Sequence, residues 1–271
     1  MMLASVLLAV QLTVPLEVGE GNGLQLVKGS LEGVPCTMIF DTGATHTSFD
    51  LDFVTNAFPK AELIEIGLAG TSNVNVMPRL MKTESLKVGE MDYQGFPVMV
   101  IPFPGLSNRV GRKVDGILGM DIIRRMPMIL SVKESKLILN PDKVEGFGPR
   151  LKFDYSDFDG SPKVFYKGKD GAPRSMLIDS GSSFTILTRP EDWAATGEAI
   201  DLGAMSVNGR EELKMRFGEP GELELVPAEA GAEVKVTVRP MINPDHPCAY
   251  LGADTLRKYD LYLKFPEVRL R

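Results

Sequence analysis

Two carboxylates stand out in this chain, each opening the same kind of triplet: Asp41-Thr42-Gly43 and Asp179-Ser180-Gly181. Each closes an apolar run, Met38-Ile39-Phe40 in one case and Met176-Leu177-Ile178 in the other. Two carboxyl groups held close together cannot both ionise, so they share a proton and can act as a base and an acid at one place. One such triplet alone is an ordinary turn, because Asp and Ser bond nearby backbone and Gly accepts positive φ. The pairing is what points to chemistry. The flanks repeat without a gap at an offset of 138 residues, matching Gly33 with Gly171, Pro35 with Pro173, Met38 with Met176 and Thr47 with Thr185.

The repeat continues downstream. Ile117-Leu118-Gly119-Met120-Asp121-Ile122-Ile123-Arg124-Arg125 returns as Tyr250-Leu251-Gly252-Ala253-Asp254-Thr255-Leu256-Arg257-Lys258. Gly119 lies 78 positions beyond Asp41, and Gly252 lies 73 beyond Asp179. One ancestral unit has been used twice, and the two triplets read as halves of one site.

The elements that must carry these residues are strands. Val10, Leu12, Val14, Leu16 and Val18 alternate with Gln11, Thr13, Pro15 and Glu17, as in a half-buried strand. Gly19-Glu20-Gly21-Asn22-Gly23 is a turn, and short strands broken by Gly29 and Gly33 lead to Asp41. A hairpin is expected from Ala61 to Met77 with Gly67-Leu68-Ala69-Gly70 at its tip, and further strands within Glu90 to Phe103 and Met128 to Leu139. In the second copy Gly203 to Gly218 takes the place of that hairpin, and Glu191 to Ala195 reads as one helical turn without a counterpart in the first. Trp193 reads as a packing residue. Asp121 and Asp254 each read as the cap of a short helix, not as catalytic groups. The fold class is all-β with a few short helices. The boundaries read from the sequence are a signal segment at 1–12, an N-terminal lobe at 13–143, a Gly-rich connection at 144–150 and a C-terminal lobe at 151–271.

Composition narrows the function classes. The chain has 271 residues, 44% hydrophobic and 24% charged, which suits two modest globular lobes. A net charge of −6 without a basic run argues against a nucleic-acid partner. No apolar stretch reaches the ~18–20 residues of a membrane span. Met1 to Val10 is apolar apart from Ser5, as in the core of a secretory signal, although it carries no Lys or Arg. Cys36 and Cys248 are the only cysteines and His46 and His246 the only histidines, so neither a disulfide framework nor a zinc site is expected. The two cysteines read as small apolar strand residues, with a single bridge between the repeats as the alternative.

The chain resembles the two-lobed aspartic endopeptidases of the pepsin-like and retropepsin-like group, in a compact, bacterial-type form. Gly33 to Phe49 is most similar to the retropepsin-like version, and Tyr250 to Tyr259 is similar to the C-terminal part of pepsins. The resemblance implies a bilobal pepsin-like acid protease fold, two homologous β lobes with the cleft between them. It implies Asp41 and Asp179 as the catalytic pair, one activating water while the other gives a proton to the peptide carbonyl; one shared proton is the known behaviour of this enzyme class. Gly43 and Gly181 would let backbone N–H groups face the carboxylates, Thr42 and Ser180 would bond across the lobe interface, and Gly119 and Gly252 would lie beside the catalytic loops. Residues 66–75 would form a flap over the substrate, with Ile66, Gly67, Leu68 and Gly70 shaping or moving it. Pepsins carry a flap Tyr, whereas no aromatic residue occurs here between Pro59 and Glu90.

These implications describe a monomeric, secreted or periplasmic endopeptidase that cuts extended polypeptide between apolar residues without cofactor or metal. Only 40 residues precede Asp41, which leaves no room for a long basic propeptide. The alternative is a catalytically silent module that binds peptide or protein in the same cleft. A serine hydrolase is disfavoured because Gly-x-Ser-x-Gly is missing. The third position after each Asp differs, Ala44 against Ser182. A Ser182 hydroxyl can donate to its carboxylate and lower its pKa, whereas Ala44 cannot. The pair is therefore expected to hold its shared proton to higher pH than one flanked by Ser on both sides, with an optimum at about pH 4–6, and Ala44→Ser is expected to move the alkaline limb down.

Overall fold

A computed structural model describes residues 10–20, 22–66, 77–155, 161–206 and 209–271. The first half runs through β1 (Leu12–Val18), β2 (Gln25–Leu31), β3 (Val34–Phe40), β4 (Ser48–Asp50), α1 (Leu51–Ala57), β5 (Leu63–Glu65), β6 (Arg79–Met81), β7 (Ser85–Val88), β8 (Met91–Gln94), β9 (Val98–Ile101), α2 (Leu106–Val110), β10 (Gly116–Leu118), α3 (Met120–Ile123), β11 (Met128–Ser131) and β12 (Lys136–Leu139). The second half follows with β13 (Phe153–Tyr155), β14 (Pro162–Lys167), β15 (Pro173–Asp179), β16 (Ile186–Leu187), β17 (Ala195–Ser206), β18 (Gly209–Gly218), β19 (Gly221–Leu225), β20 (Val234–Val238), β21 (Met241–Ile242), β22 (Ala249–Gly252), α4 (Ala253–Leu256), β23 (Asp260–Lys264) and β24 (Glu267–Leu270). The protein is mostly β with a few short helices, as the sequence indicates.

The repeat is present in the hydrogen bonding itself. In the first half β3 pairs in parallel with β10, β10 antiparallel with β4, β4 in parallel with β9, and β9 antiparallel with β6, which turns back to β5. In the second half β15, β22, β16, β21, β18 and β17 pair in the same order and the same directions. The turns before β3 and β15 also match, with Gly33 at φ 79° and Gly171 at φ 78°, a conformation that a Cβ makes costly.

Each lobe also ends in an equivalent hairpin, β11–β12 and β23–β24, and these two hairpins pair with each other. Met128 lies opposite Leu263 and Ser131 opposite Asp260, so the last strands of the chain join the first-half sheet in the order β24-β23-β11-β12-β1. All four residues of β11 are buried, which is what a strand covered by neighbours on both edges requires.

Alternation places the apolar residues. Val14 and Leu16 of β1 are buried while Thr13 and Pro15 are exposed. Met38, Phe40 and Leu118 enter a core that continues into the second half through Met176, Ile178 and Leu251. The strand residues between them face the other way. Ile39 and Ile117 pack with Phe103 and Val110, and in the second half Ile186 packs with Met215, Met241 and Tyr250.

Several local expectations change. The return strand of the first hairpin begins at Arg79, past Pro78, so the hairpin extends beyond Met77. The helical turn expected at Glu191 is a 3-10 turn over Pro190–Asp192, one residue earlier, because Pro sets φ at its first position. It does have a first-lobe counterpart, α1, which likewise follows the strand after the Asp triplet. Trp193 packs against the core, its Nε1–H donating to the Glu219 carbonyl at 2.7 Å. Cys36 and Cys248 are not joined: Cys36 is buried on β3, where burial pushes its thiol up to about 12, and Cys248 is half-buried just before β22. Among the described residues no helix is long and apolar enough to cross a membrane, and no cluster of His, Cys, Asp and Glu is arranged to hold a metal ion.

Candidate active site

Asp41 follows the last residue of β3, and its N–H donates to the Leu118 carbonyl on β10 at 3.0 Å. Asp179 is the last residue of β15 and pairs with Gly252 on β22. The parallel pairing therefore delivers both carboxylates to equivalent strand ends, and the two lobes bring those ends together. The side chains of Asp41 and Asp179 are hydrogen-bonded to each other. A Cβ built on Gly43 would lie 2.4 Å from Cγ of Asp179, and one built on Gly181 would lie 2.2 Å from Cγ of Asp41. Each triplet's glycine thus makes room for the carboxyl of the other triplet.

Backbone donors orient each acid. Asp41 Oδ1 accepts from Gly43 N–H at 2.8 Å and Ala44 N–H at 3.1 Å, and Asp179 Oδ1 accepts from Gly181 N–H and Ser182 N–H, both at 2.9 Å. Beneath them the hydroxyl residues cross over. Thr42 Oγ1–H donates to the Ile178 carbonyl at 2.7 Å and accepts from Ser180 N–H at 3.0 Å, while Ser180 Oγ–H donates to the Phe40 carbonyl at 2.7 Å and accepts from Thr42 N–H at 3.0 Å. Both residues are fully buried, so water cannot replace a lost partner. Thr42→Val and Ser180→Ala are each expected to lower stability by about 1–3 kcal/mol, with a non-additive double variant. Urea unfolding of the two single variants and the double variant measures this.

Gly119 and Gly252 sit where each loop passes closest. A Cβ on Gly119 would meet the His46 carbonyl carbon at 2.5 Å, and one on Gly252 would meet the Phe184 carbonyl oxygen at 2.2 Å.

Two sequence expectations are corrected. Asp121 and Asp254 are not caps: Gly119 and Gly252 hold the N-cap positions, and each Asp lies inside the first turn. Their carboxylates accept instead from Thr47 and Thr185, buried residues whose part the sequence reading missed although Thr47, Thr185 and both Asp residues recur in the repeat. The Ser182 hydroxyl does not reach Asp179, because it donates to the Phe184 carbonyl at 2.9 Å. The donor to each acid is a backbone N–H, present in both lobes. Ala44→Ser is therefore expected to leave the alkaline limb of kcat/KM where it is, contrary to the sequence argument; a pH profile of this variant checks it.

Ile66 lies just past β5, its N–H donating to the Pro78 carbonyl at 3.0 Å, so it belongs to the base of the expected hairpin. Gly67, Leu68 and Gly70 lie outside the described residues.

Electrostatics separates the two acids. Burial among the loops pushes both carboxyls above the ordinary range, although both residues keep the opening that a reactant needs. Asp179 rises well above it, because the charge of Asp41 adds to burial. For Asp41 the N–H of Gly43, the hydrogen bond from Asp179 and the N–H of Ala44 work against burial. The pair holds a proton that one isolated carboxylate would have lost, and its titration belongs to the two acids together.

Residues 27–122, from β2 into α3, match the family model described as aspartyl protease. No curated protein matches the chain. The matched span contains Asp41, Thr42, Gly43, Thr47, Gly119 and Asp121, the whole first-lobe half of the site. The match supports an aspartic protease family for this chain.

Proposed function

We propose that the chain is an aspartic endopeptidase that hydrolyses peptide bonds in extended polypeptide through Asp41 and Asp179. The observation that carries this is the carboxyl pair itself, two acids from different lobes hydrogen-bonded to each other with backbone donors aimed at each. A binding module has no need of that arrangement, which buries two carboxyl groups with raised pKa at a cost to stability near neutral pH.

In the proposed reaction ionised Asp41 takes a proton from water as the water oxygen attacks the scissile carbonyl carbon. Asp179 gives its proton to the carbonyl oxygen, so the tetrahedral intermediate forms without a free oxyanion. Asp41 then passes its proton to the amine nitrogen as the C–N bond breaks, and the proton on the intermediate returns to Asp179. Both acids come from one chain, so a monomer holds the complete pair.

The resemblance carries with it a preference for apolar side chains beside the scissile bond. Substrate would bind as an added strand, its main chain giving affinity and its alternate side chains giving selectivity. The hairpin on β5 and β6 would close over it as a flap. A secreted or periplasmic setting suits the apolar opening of the sequence.

Casein digestion across about pH 3–7 tests the reading, since a carboxyl pair with one shared proton is active only between its two ionisations. Hydrolysis blocked by pepstatin and indifferent to EDTA is expected, with dipeptides poor substrates. A purified chain that cleaves at no pH, or only with an added metal, would overturn it.

A further inference from the structure

We propose that Asp121 and Asp254 are positioning residues, one for each catalytic loop, whose carboxylates fix the main chain that aims N–H donors at Asp41 and Asp179. The effect on catalysis rests on the aspartic-protease reading above; the effect on the carboxyl pair does not.

Each catalytic loop is tied near both of its ends to the short helix that follows the second glycine motif, and in the first lobe Asp121 N–H adds a bond to the Thr45 carbonyl at 3.2 Å. In the first lobe the Ala44 carbonyl accepts from Met120 N–H at 2.8 Å, while Ala44's own N–H donates to Asp41. At the far end of the loop Thr47 N–H donates to both oxygens of Asp121 at 2.9 Å, and Thr47 Oγ1–H donates to Asp121 at 2.6 Å. The same hydroxyl accepts from Gly119 N–H at 3.1 Å.

The second lobe repeats these links, with Thr185 N–H meeting one carboxylate oxygen where Thr47 N–H meets two. The Ser182 carbonyl accepts from Ala253 N–H at 2.8 Å, while Ser182 N–H donates to Asp179. Thr185 N–H and Oγ1–H both donate to Asp254 Oδ1 at 2.8 Å, and Gly252 N–H donates to Thr185 Oγ1 at 3.1 Å.

Thr47 and Thr185 are 0% exposed, so the carboxylates are the partners that the buried fold provides for their donors. The stretch between the two ties is the stretch that carries the donors to the catalytic acid. Releasing the far tie frees the loop to shift while the strands around it stay paired. Neither Asp121 nor Asp254 hydrogen-bonds to the catalytic pair, so their influence runs through the loops.

Asp254→Ala and Asp254→Asn, in the full chain, test this. The Asn carbonyl can still accept both Thr185 donors, whereas Ala accepts neither. Loop displacements of about 1 Å cost up to ~100-fold, so the Ala variant is expected to lose ~10–100-fold in kcat with KM within about twofold of wild type. Asn should recover most of that loss. Assays run well below each variant's Tm keep an unfolded fraction from counting as loss.

Carbon-13 NMR of the carboxyl groups supplies the second arm: the titrations of Asp41 and Asp179 should move in the Ala variant and return in the Asn variant. If Asp254→Ala does not fold, Thr185→Val keeps the Thr185 N–H link to Asp254 while removing the hydroxyl and its bonds to Asp254, Gly252 N–H and Thr255 Oγ1, and should show the same signature. A folded Ala or Val variant with wild-type kcat and wild-type titration of the pair would overturn the proposal. A wild-type chain without hydrolysis would sink the protease reading alone, and the titration arm would still decide this one.

Discussion

Replacing either Asp41 or Asp179 with Asn is expected to lower kcat by at least ~1,000-fold while leaving the fold intact. The magnitude follows from the proposed division of labour: each acid would provide a proton transfer worth ~100–10,000-fold, and neither could perform both transfers at once. Asn fits either position. At 179 its carbonyl can accept from Gly181 and Ser182 as the carboxylate does, and its amide can donate to Asp41. The loss would therefore report chemistry and not collapse of the site. A variant retaining a large fraction of wild-type kcat would exclude the shared-proton mechanism.

The same substitution should stabilise the protein near neutral pH. A carboxyl whose folded-state pKa lies above its unfolded value contributes its full stability below the unfolded pKa and loses it as pH rises through the folded one. Asp179 is such a group, raised by burial and by the charge of Asp41. Wild type thus gives up stability as the second proton leaves, and Asp179→Asn, with no proton to lose, does not. Its Tm should exceed that of wild type at pH 7, with the gap closing toward pH 3; each kcal/mol corresponds to roughly 2–4 °C for a chain of this size. A gap that widened in acid would contradict the assigned direction.

Much of this site was legible because it was written twice. The offset of 138 residues matched Thr47 to Thr185 and Gly33 to Gly171, and both pairs occupy equivalent structural positions. What remained hidden depended on contacts that have no local signal. The pairing of β11 with β23 joins strands more than a hundred residues apart, and nothing in Met128–Ser131 announces which strand it will meet. The part played by Asp121 and Asp254 is hidden for a similar reason. An Asp at the start of a helical pattern is usually a cap, but Gly119 and Gly252 already hold that position and the side chains reach across to another loop. Ser182 shows the limit of residue type as a guide: its hydroxyl was a plausible donor to Asp179, and a neighbouring carbonyl took it instead. The helix α1 also lacks a local signal. Asp50 stands at its N-cap position without a side-chain bond to the helix, its carboxylate accepting from Phe103 N–H at 2.9 Å, so the capping signal served a tertiary contact.

Gly252→Ala is expected to cost activity far beyond its cost in stability. The added Cβ would lie 2.2 Å from the Phe184 carbonyl oxygen, 2.3 Å from its carbonyl carbon and 2.8 Å from Thr185 N. All three are backbone atoms of the loop that carries Ser182, so no side chain can rotate away and the loop itself must move. Overpacking of this kind typically costs ~1–3 kcal/mol, which a chain of this size can survive. Kinetically the effect should be larger, because a shift of about 1 Å in the donors around Asp179 can remove ~100-fold in kcat. Gly33→Ala separates the two quantities. Gly33 sits at φ 79° in the turn before β3, where a Cβ would meet nothing within 4 Å. That substitution carries only the backbone penalty of about 1–2 kcal/mol, comparable to the cost at Gly252, and should leave kcat unchanged. Measuring urea stability and kcat for both variants decides the point. Equal kinetic losses would mean that activity merely follows stability, whereas loss confined to Gly252→Ala would mean that the glycine is there to let the catalytic loop approach.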